Sequence, residues 1–217
     1  MSITEKSRFE QIRRNWNSRI RAWKTDRQNQ KRYGEDAPRF AEQLWVPTDR
    51  IQRALKIGSS KQSGAVIASW PEKGYSMVSD LPSLRACLAH WRDGVSWEDS
   101  GIIDLMMAQI RRNGKVDRLR THEEVKTRYQ ELDELFREVK RAGMLSSRQD
   151  FIPGNFREEG GILVHIGPDG EPVFGKKGHH RLAMAIALEF SVIPVQLGAT
   201  YRPAIGHLLN YRQRTHH

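Results

Sequence analysis

Residues 161–197 read GILVHIGPDGEPVFGKKGHHRLAMAIALEFSVIPVQL, and this stretch decides the fold. Residues 161–166 have the composition of a strand, residues 167–170 (GPDG) have the chemistry of a turn, and residues 171–174 return as a second strand. Pro172 cannot donate a ladder hydrogen bond, so we expect that end of the return strand to be irregular or at a sheet edge. The stretch therefore begins with a β-hairpin.

A glycine-bounded basic turn follows the hairpin: Gly175-Lys176-Lys177-Gly178-His179-His180-Arg181. Residues 182–190 then predict an alanine-rich helix, and residues 193–197 predict another strand. The first main-chain amides of a helix have no partner within it, and the helix dipole adds positive charge there. Because the glycines let the backbone approach a ligand and the basic side chains add charge, the turn predicts a phosphate-binding site. The alternative is a strand-to-helix corner whose lysines are only solvated.

The composition limits the class of protein. A chain of 217 residues with 38% hydrophobic and 29% charged residues can bury one core or two small ones, and no apolar run is long enough to cross a bilayer. Residues 1–40 lack the features of a signal peptide. The single cysteine, Cys87, excludes an internal disulfide and a multi-cysteine zinc site. These features predict a cytoplasmic protein without a transmembrane segment.

The net charge of +10 is concentrated at the two ends of the chain. Residues 1–40 carry a net charge of +6, residues 176–217 carry +5, and the remainder carries −1. Such a field favours polyanionic partners, including nucleotides, DNA and acidic membrane surfaces. Aromatic and basic residues also mix near the C-terminus, as in single-stranded nucleic-acid binding sites: Tyr201, Arg202, Tyr211, Arg212 and Arg214. The other interpretation of that tail is a helix over residues 207–212 that covers the sheet.

Residues 1–40 predict a basic amphipathic helical arm followed by a polar linker from Asp26 to Ala37. Apolar residues recur there at helical spacing: Phe9, Ile12, Trp16, Ile20 and Trp23. Such a helix could lie on an acidic membrane or on a nucleic-acid backbone. We favour the other interpretation, in which the two tryptophans dock the arm onto the domain, because core packing is the usual fate of such stripes.

The middle of the chain predicts a short strand at residues 44–46 and three helices that each end at a glycine, namely 82–91 before Gly94, 102–110 before Gly114, and 124–139 before Gly143. Asp80 and Ser96 are candidate caps for the first two helices. Thr121 and Glu124 have the spacing of a capping box for the third.

Two classes of site are disfavoured. The Gly-x-x-x-x-Gly-Lys-Ser/Thr pattern is absent, which excludes the P-loop nucleotide hydrolases. His179 and His180 are adjacent, so on a helix their side chains point about 100° apart and do not readily hold one metal ion. We therefore predict no metal site.

The stretch from Gly178 to Ala185, together with Ile193-Pro194-Val195, resembles the ParB/sulfiredoxin superfamily. Its members share a Gly-x-x-Arg turn at a helix start, an alanine-containing helix and an Ile-Pro-Val strand. The resemblance extends to the helix over residues 132–145 and to a first strand at 44–46. It implies an α+β, ParB/sulfiredoxin-like domain with a small mixed sheet, a helical insertion and a basic N-terminal helical arm. The implied segments are an arm over 1–40 and a domain over 41–217, with the insertion at about 60–120, the nucleotide-binding core at about 124–198 and a basic tail at 199–217.

The family resemblance implies that the turn binds a nucleotide, ATP, CTP or a related one, with Mg²⁺. The resemblance implies that Gly178, His180 and Arg181 take the phosphate-holding places. With the charged and neighbouring residues of the turn, the predicted phosphate-binding residues are Lys176, Lys177, Gly178, His179, His180 and Arg181. His179 occupies the place of sulfiredoxin's catalytic cysteine, so sulfiredoxin chemistry is excluded. ParB usually has Glu-Arg-Arg in this turn and a helix-turn-helix module after it, and only about twenty residues follow Leu197, so chromosome partitioning is not expected.

Three functions remain open. The first is a nucleotide-dependent phosphotransferase or NTPase acting on a small metabolite, which needs a carboxylate to orient or deprotonate the acceptor. Serine-kinase relatives, which place an acidic residue soon after the first strand, point to Asp49, and Asp150, Glu158 and Glu159 are the other candidates. The second is a DNA-binding protein or nuclease. The third is a non-catalytic nucleotide-sensing adaptor whose helical insertion binds a protein partner.

Overall fold

A computed structural model of the chain describes residues 3–58 and 60–214, and the side chains of all of these except residues 3–12, 14 and 60. The chain divides into two compact units. The first comprises the segments up to Ser76, Ser146–Gly178 and from Ser191 onward, and the second comprises Met77–Leu145 and His179–Phe190. The elements are mixed helices and strands with a small mixed sheet, which confirms the predicted α+β class.

In chain order the elements are α1 (Ile3–Tyr33), β1 (Gln43–Pro47), β2 (Arg53–Ala54), β3 (Val66–Ile67), β4 (Ser76–Met77), α2 (Pro82–Asp93), α3 (Ile102–Asn113), α4 (His122–Ala142), α5 (Arg148–Phe151), β5 (Leu163–Ile166), β6 (Pro172–Phe174), α6 (His179–Ala187), β7 (Val192–Tyr201) and α7 (Leu209–Arg212). Short 3₁₀ turns occupy Thr48–Arg50, Ser60–Gln62, Val78–Asp80 and Arg202–Leu208. Among the described helices, none combines the length and apolar composition needed to span a membrane.

The sheet of the first unit is built around β7. Its strand order is β1-β7-β5-β6-β2, with β3 also beside β7, and β4 lies where the chain passes to the second unit. β7 is antiparallel to β1 and parallel to β5 and β3, while β5 and β6 form the predicted antiparallel hairpin. Leu44 pairs with Val195, and Val164 pairs with Leu197 on one side and Phe174 on the other. β7 has neighbours on both edges, and eight of its ten residues are buried.

The second unit consists of α2, α3, α4 and α6. The glycines Gly94, Gly114 and Gly143 each adopt a left-handed conformation after a helix, and the capping box of Thr121 and Glu124 is present, as predicted. The predicted caps of the first two helices are wrong. Leu81 precedes the Pro82 that starts α2, and Gly101 precedes α3, so neither helix has a side-chain cap.

Asp133 on α4 is the polar centre of the second unit. Its Oδ1 accepts hydrogen bonds from Nε1 of Trp91 at 3.0 Å and lies 3.1 Å from Nε2 of His90, and its Oδ2 accepts from Nε1 of Trp97 at 2.9 Å. His90 stacks on Trp97 with ring centroids 3.8 Å apart. One carboxylate therefore joins α4 to the last turn of α2 and to the segment that links α2 and α3.

α1 packs on the rest of the first unit through one face, which is mostly polar. The residues of this face recur at helical spacing: Asn15, Ser18, Ala22 and Asn29. Asn29 is 7% exposed, and its Nδ2 donates to the carbonyls of Pro38 and Gly64 at 2.7 and 2.8 Å. Asn15 and Ser18 donate to oxygens of the segment 154–159. The helix is thus bound by side-chain hydrogen bonds to loops of its own unit.

The predicted docking of α1 through its tryptophans is wrong. Trp16 is 67% exposed and Trp23 is 61% exposed, because the polar face, and not the apolar stripe, contacts the unit. The side chains of Phe9 and Ile12, the other members of the predicted stripe, lie outside the described residues. The helix also runs to Tyr33, so the first part of the predicted linker is helical.

Candidate phosphate-binding bend

The boundary between the two units falls inside the predicted turn, between Gly178 and His179. In the first unit, two hydrogen bonds attach the bend to Leu163 at the start of β5. The amide of Gly175 donates to the carbonyl of Leu163 at 2.7 Å, and the carbonyl of Lys177 accepts from the amide of Leu163 at 3.1 Å. These bonds close a short loop in which Lys176 is half-buried and Lys177 is exposed.

The backbone of this bend requires glycine at position 178. Gly178 has a φ of +83°, and a Cβ atom there would lie 2.8 Å from Cα of Ile162 and 3.1 Å from the carbonyl oxygen of Gly161. Lys176 also has a positive φ, +56°, which is uncommon for a residue with a side chain. A positive φ at a non-glycine residue costs free energy that the surrounding structure must offset, so the bend is held in one defined shape.

His165 on β5 lies beneath the bend and is buried. Its Nδ1 accepts a hydrogen bond from the amide of Ala199 at 2.8 Å, which places the proton of the neutral ring on Nε2. Burial lowers the pKa of His165 to about 4. A Cβ atom at Gly175 would lie 2.8 Å from that Nε2, and Nε2 has no hydrogen-bond partner among the described residues. His165 is therefore a neutral core histidine that is satisfied at only one nitrogen.

A buried carboxylate adjoins the same bend. Glu158 is fully buried, and its Oε2 accepts a hydrogen bond from the amide of Arg148 at 2.7 Å. Its Oε1 would lie 2.5 Å from a Cβ atom at Gly161, the residue whose carbonyl faces Gly178. Of the four acidic candidates, Glu158 is the one that shares close neighbours with the bend.

The other three carboxylates lie in different surroundings. Asp49 is exposed in the 3₁₀ turn after β1, and among the described residues its carboxylate has no hydrogen-bond partner. Asp150 accepts a hydrogen bond from Ser147 at the start of α5, and Glu159 accepts one from Ser18 of α1. Those two carboxylates therefore have structural contacts. Across the described residues, no group of three His, Cys, Asp or Glu side chains is arranged to hold a metal ion.

In the second unit, the turn continues as the first residues of α6, with His179, His180 and Arg181 half-buried. Nε2 of His180 lies 3.4 Å from the hydroxyl of Tyr129, and the two rings are perpendicular. Burial, together with the nearby positive charges of Arg128 and His179, lowers the pKa of His180 to about 4. Burial likewise raises the pKa of Tyr129, so the phenol stays protonated. The ring of His180 is therefore neutral, with one N–H donor and one acceptor nitrogen. No sequence signal pointed to Tyr129.

Two residues of the C-terminal tail form hydrogen bonds within the protein, which the composition of the tail did not predict. Nε of Arg212 donates to Glu42 at 2.7 Å, and the hydroxyl of Tyr211 donates to the carbonyl of Gly170 at 2.8 Å. These two residues therefore hold α7 on the first unit, as expected for a helix that covers the sheet. Arg214 lies over the ring of Trp45, with its guanidinium carbon 5.0 Å from the centroid.

Two surface depressions lie away from the bend, one on each unit. One of about 700 Å³ follows the last turns of α4 and is lined by Glu134, Arg137, Glu138, Lys140 and Arg141. The other, of about 230 Å³, lies where the end of α1 meets residues 35–39 and Arg157. Neither of these two depressions is lined by a residue of the bend.

Comparison with protein-family models finds no match, and comparison with curated proteins and with solved structures likewise finds no significant match. The ParB/sulfiredoxin resemblance therefore stays a prediction that rests on the residues of the turn, the helix and the strand.

Proposed function

We propose that the chain is a ParB/sulfiredoxin-type nucleotide-binding protein that holds the phosphates at the bend from Gly175 to Arg181. The observation that carries this proposal is Gly178, a left-handed residue directly before the first residue of α6. A left-handed residue next to a helix start is a backbone arrangement in which successive amides form an anion-binding concavity.

The side chains of the bend supply the remaining donors. Lys177 is exposed and Lys176 half-buried, so both ammonium groups can approach a polyphosphate. Arg181 can bind a phosphate through two parallel hydrogen bonds. His180 is neutral, and in the tautomer with its proton on Nδ1 and Nε2 beside the hydroxyl of Tyr129, it can donate one hydrogen bond to a phosphate. The role of this histidine is therefore directional hydrogen bonding, without a full positive charge.

The ligands that fit this donor set are ATP, CTP or a related nucleotide with Mg²⁺. In such a complex the phosphate oxygens would supply most of the ligands of the ion. If a phosphoryl group is transferred to a small hydroxyl, Asp49 is the carboxylate free to orient it, because it is exposed after β1. The buried Glu158 shapes the loop beside Gly161 and would act on the site through that loop. The proposed activity is a phosphotransferase or NTPase.

A thermal-shift panel tests nucleotide binding. ATP, ADP, CTP and GTP are added with Mg²⁺ to the wild type and to Lys177→Ala and Arg181→Ala variants. A nucleotide at 100 times its Kd stabilises the folded state by about 2.7 kcal/mol, which is a measurable shift. Lys56→Ala and Arg85→Ala are matched controls, since both residues are exposed elsewhere. The absence of a shift with all four nucleotides contradicts the proposal, as does an unchanged shift in both bend variants.

A turnover assay distinguishes an enzyme from a non-catalytic nucleotide sensor. We expect Mg²⁺-dependent release or transfer of phosphate that Asp49→Asn reduces at least about tenfold, with nucleotide affinity unchanged. Asp80→Asn is the control, because Asp80 is an exposed carboxylate in another 3₁₀ turn. Nucleotide binding without any turnover would favour the adaptor with a protein partner at the helical insertion.

DNA binding is the second candidate function, favoured by the net charge of +10. A DNA complex would weaken steeply as the salt concentration rises, since each neutralised phosphate releases counterions. Titrating a fluorescent duplex at two salt concentrations therefore distinguishes it from nucleotide binding, for which we expect only a shallow dependence. Cleavage of that duplex would indicate a nuclease.

A further inference from the structure

Three apolar side chains form an exposed line along α1, which we call the outer stripe: Trp16, Ile20 and Trp23. They follow one another at spacings of four and three residues, so they share one face of the helix over about 10 Å. Their exposed fractions are 67%, 43% and 61%. Two tryptophans and an isoleucine in water on one rigid face form a patch of the kind that marks an interaction site.

The helix cannot turn this stripe inward, because the opposite side is already bound. Asn29 donates to two carbonyls, Ala22 is buried against Phe40 and Ala41, and Asp26 receives two further contacts. Oδ1 of Asp26 accepts from the amide of Phe40 at 2.7 Å, and its Oδ2 lies 2.8 Å from Nη2 of Arg157. The outer stripe is therefore presented to an external partner in a fixed orientation.

Positive charge surrounds the outer stripe. α1 contains ten basic residues and three acidic ones, a net charge of +7, and one of the acidic residues is Asp26, which is paired with Arg157. Arg13 and Lys24 are exposed on the same helix. The guanidinium of Arg27 lies 5.6 Å from the ring centroid of Trp23, so a cation sits beside an exposed indole. The partner must therefore be anionic and must also accept apolar side chains.

Charge and side-chain chemistry distinguish between the possible binding partners of the outer stripe. A second copy of α1 would carry the same +7 and be repelled. A single-stranded nucleic acid would stack on the two indoles, yet Ile20 between them offers no ring for a base. An anionic bilayer accepts all three features, because indoles partition to the headgroup level, an aliphatic side chain enters the acyl boundary and cations bind lipid phosphates. We propose that the outer stripe of α1 binds the protein to an anionic lipid surface, with the helix lying in the plane of the interface.

Co-sedimentation of the full chain with vesicles tests the proposal. The vesicles are phosphatidylcholine alone or with about 30 mol % phosphatidylserine, since surface charge attracts basic segments. We expect binding to the anionic vesicles only, with blue-shifted tryptophan fluorescence. Trp16→Ser/Trp23→Ser and, separately, Arg13→Glu/Lys24→Glu should each reduce the bound fraction at least about tenfold, because apolar insertion and charge attraction act together.

Matched controls separate the stripe from general surface properties. Phe151→Ser/Leu209→Ser removes two other exposed apolar side chains, and Arg111→Glu/Arg112→Glu makes the same charge change on α3. Both should bind the anionic vesicles as the wild type does, and thermal melts should show that every variant is folded. The proposal is overturned if the wild type does not sediment with anionic vesicles or if the tryptophan variant binds them equally well. It is also overturned if Trp16 and Trp23 are instead needed for binding an oligonucleotide.

Discussion

A Cβ atom added to Gly178 would lie 2.8 Å from Cα of Ile162, so the bend has no room for a side chain at this position. Gly178→Ala combines this clash with a φ of +83°, and we expect the free energy of unfolding to fall by about 3 kcal/mol. Gly206→Ala is the control, because no atom lies within 4 Å of a Cβ placed there. Chemical denaturation measures both, and equal stabilities would contradict the close packing of the bend.

The pH dependence of stability follows from His165. Its pKa falls from 6.5 in the unfolded chain to about 4 in the folded protein, so below about pH 6.5 the unfolded state binds the extra proton. Its contribution to stability is therefore complete above pH 6.5 and is lost as the pH falls toward 4, by up to about 3 kcal/mol. Urea unfolding at pH 7 and 4.5 measures the loss, which His165→Gln should reduce.

His180 has its pKa lowered in the same direction, so the His165 variant keeps part of this slope. His207→Gln serves as the control because it makes the same substitution at an exposed histidine. A His165→Gln protein with the full wild-type slope would show that this histidine is not neutral in the folded state.

Asp133 should be essential to the stability of the second unit. In Asp133→Asn the new amide group faces indole N–H donors, which cannot accept its hydrogen bonds, and we expect a loss of about 2 to 3 kcal/mol. The neighbouring Glu134→Gln makes the same chemical change at an exposed position and should alter stability by less than about 0.5 kcal/mol. Thermal unfolding followed by tryptophan fluorescence compares the two, since Trp91 and Trp97 are the donors. Similar melting temperatures would show that the carboxylate is dispensable.

The polar attachment of α1 can be tested at Asn29. Asn29→Ala removes two buried hydrogen bonds to the carbonyls of Pro38 and Gly64, and we expect a cost of about 2 kcal/mol. Limited proteolysis should then cut the chain near Tyr33 faster than in the wild type. The adjacent and exposed Gln30→Ala should digest as the wild type does. Unchanged digestion of the Asn29 variant would mean that other contacts hold the helix.

The local features of the fold were predictable from the sequence. The hairpin of β5 and β6, the capping box at Thr121 and the glycine helix ends depend on residues within a few positions of one another. The sequence also predicted β1, since residues 44–46 are a short apolar run before a proline. Local spacing and turn chemistry are sufficient signals for such elements.

Long-range contacts were not predictable in this way. The spacing of Trp16 and Trp23 is the same whether their face of the helix is buried or exposed. The contacts of Asn29 decide which face is buried, and they go to loops whose positions cannot be read from a sequence pattern. Asp133 meets Trp91 and Trp97 from about forty residues away, so no local motif contains the group. The same is true of Glu158, whose closeness to the bend follows from how its loop packs on Gly161.

The pairing of β1 with β7 has a consequence for synthesis of the protein on the ribosome. β1 ends at Pro47 and its partner begins at Val192, so about 145 residues must be translated in between, which takes roughly 7 to 30 s at ordinary elongation rates. During that interval β1 emerges as a strand with no partner, and its buried Leu44 and Val46 are open to solvent and to chaperones. Truncated nascent chains that stop before β7 should therefore be prone to aggregation, and release of the last strand should be the step that makes the sheet protease-resistant.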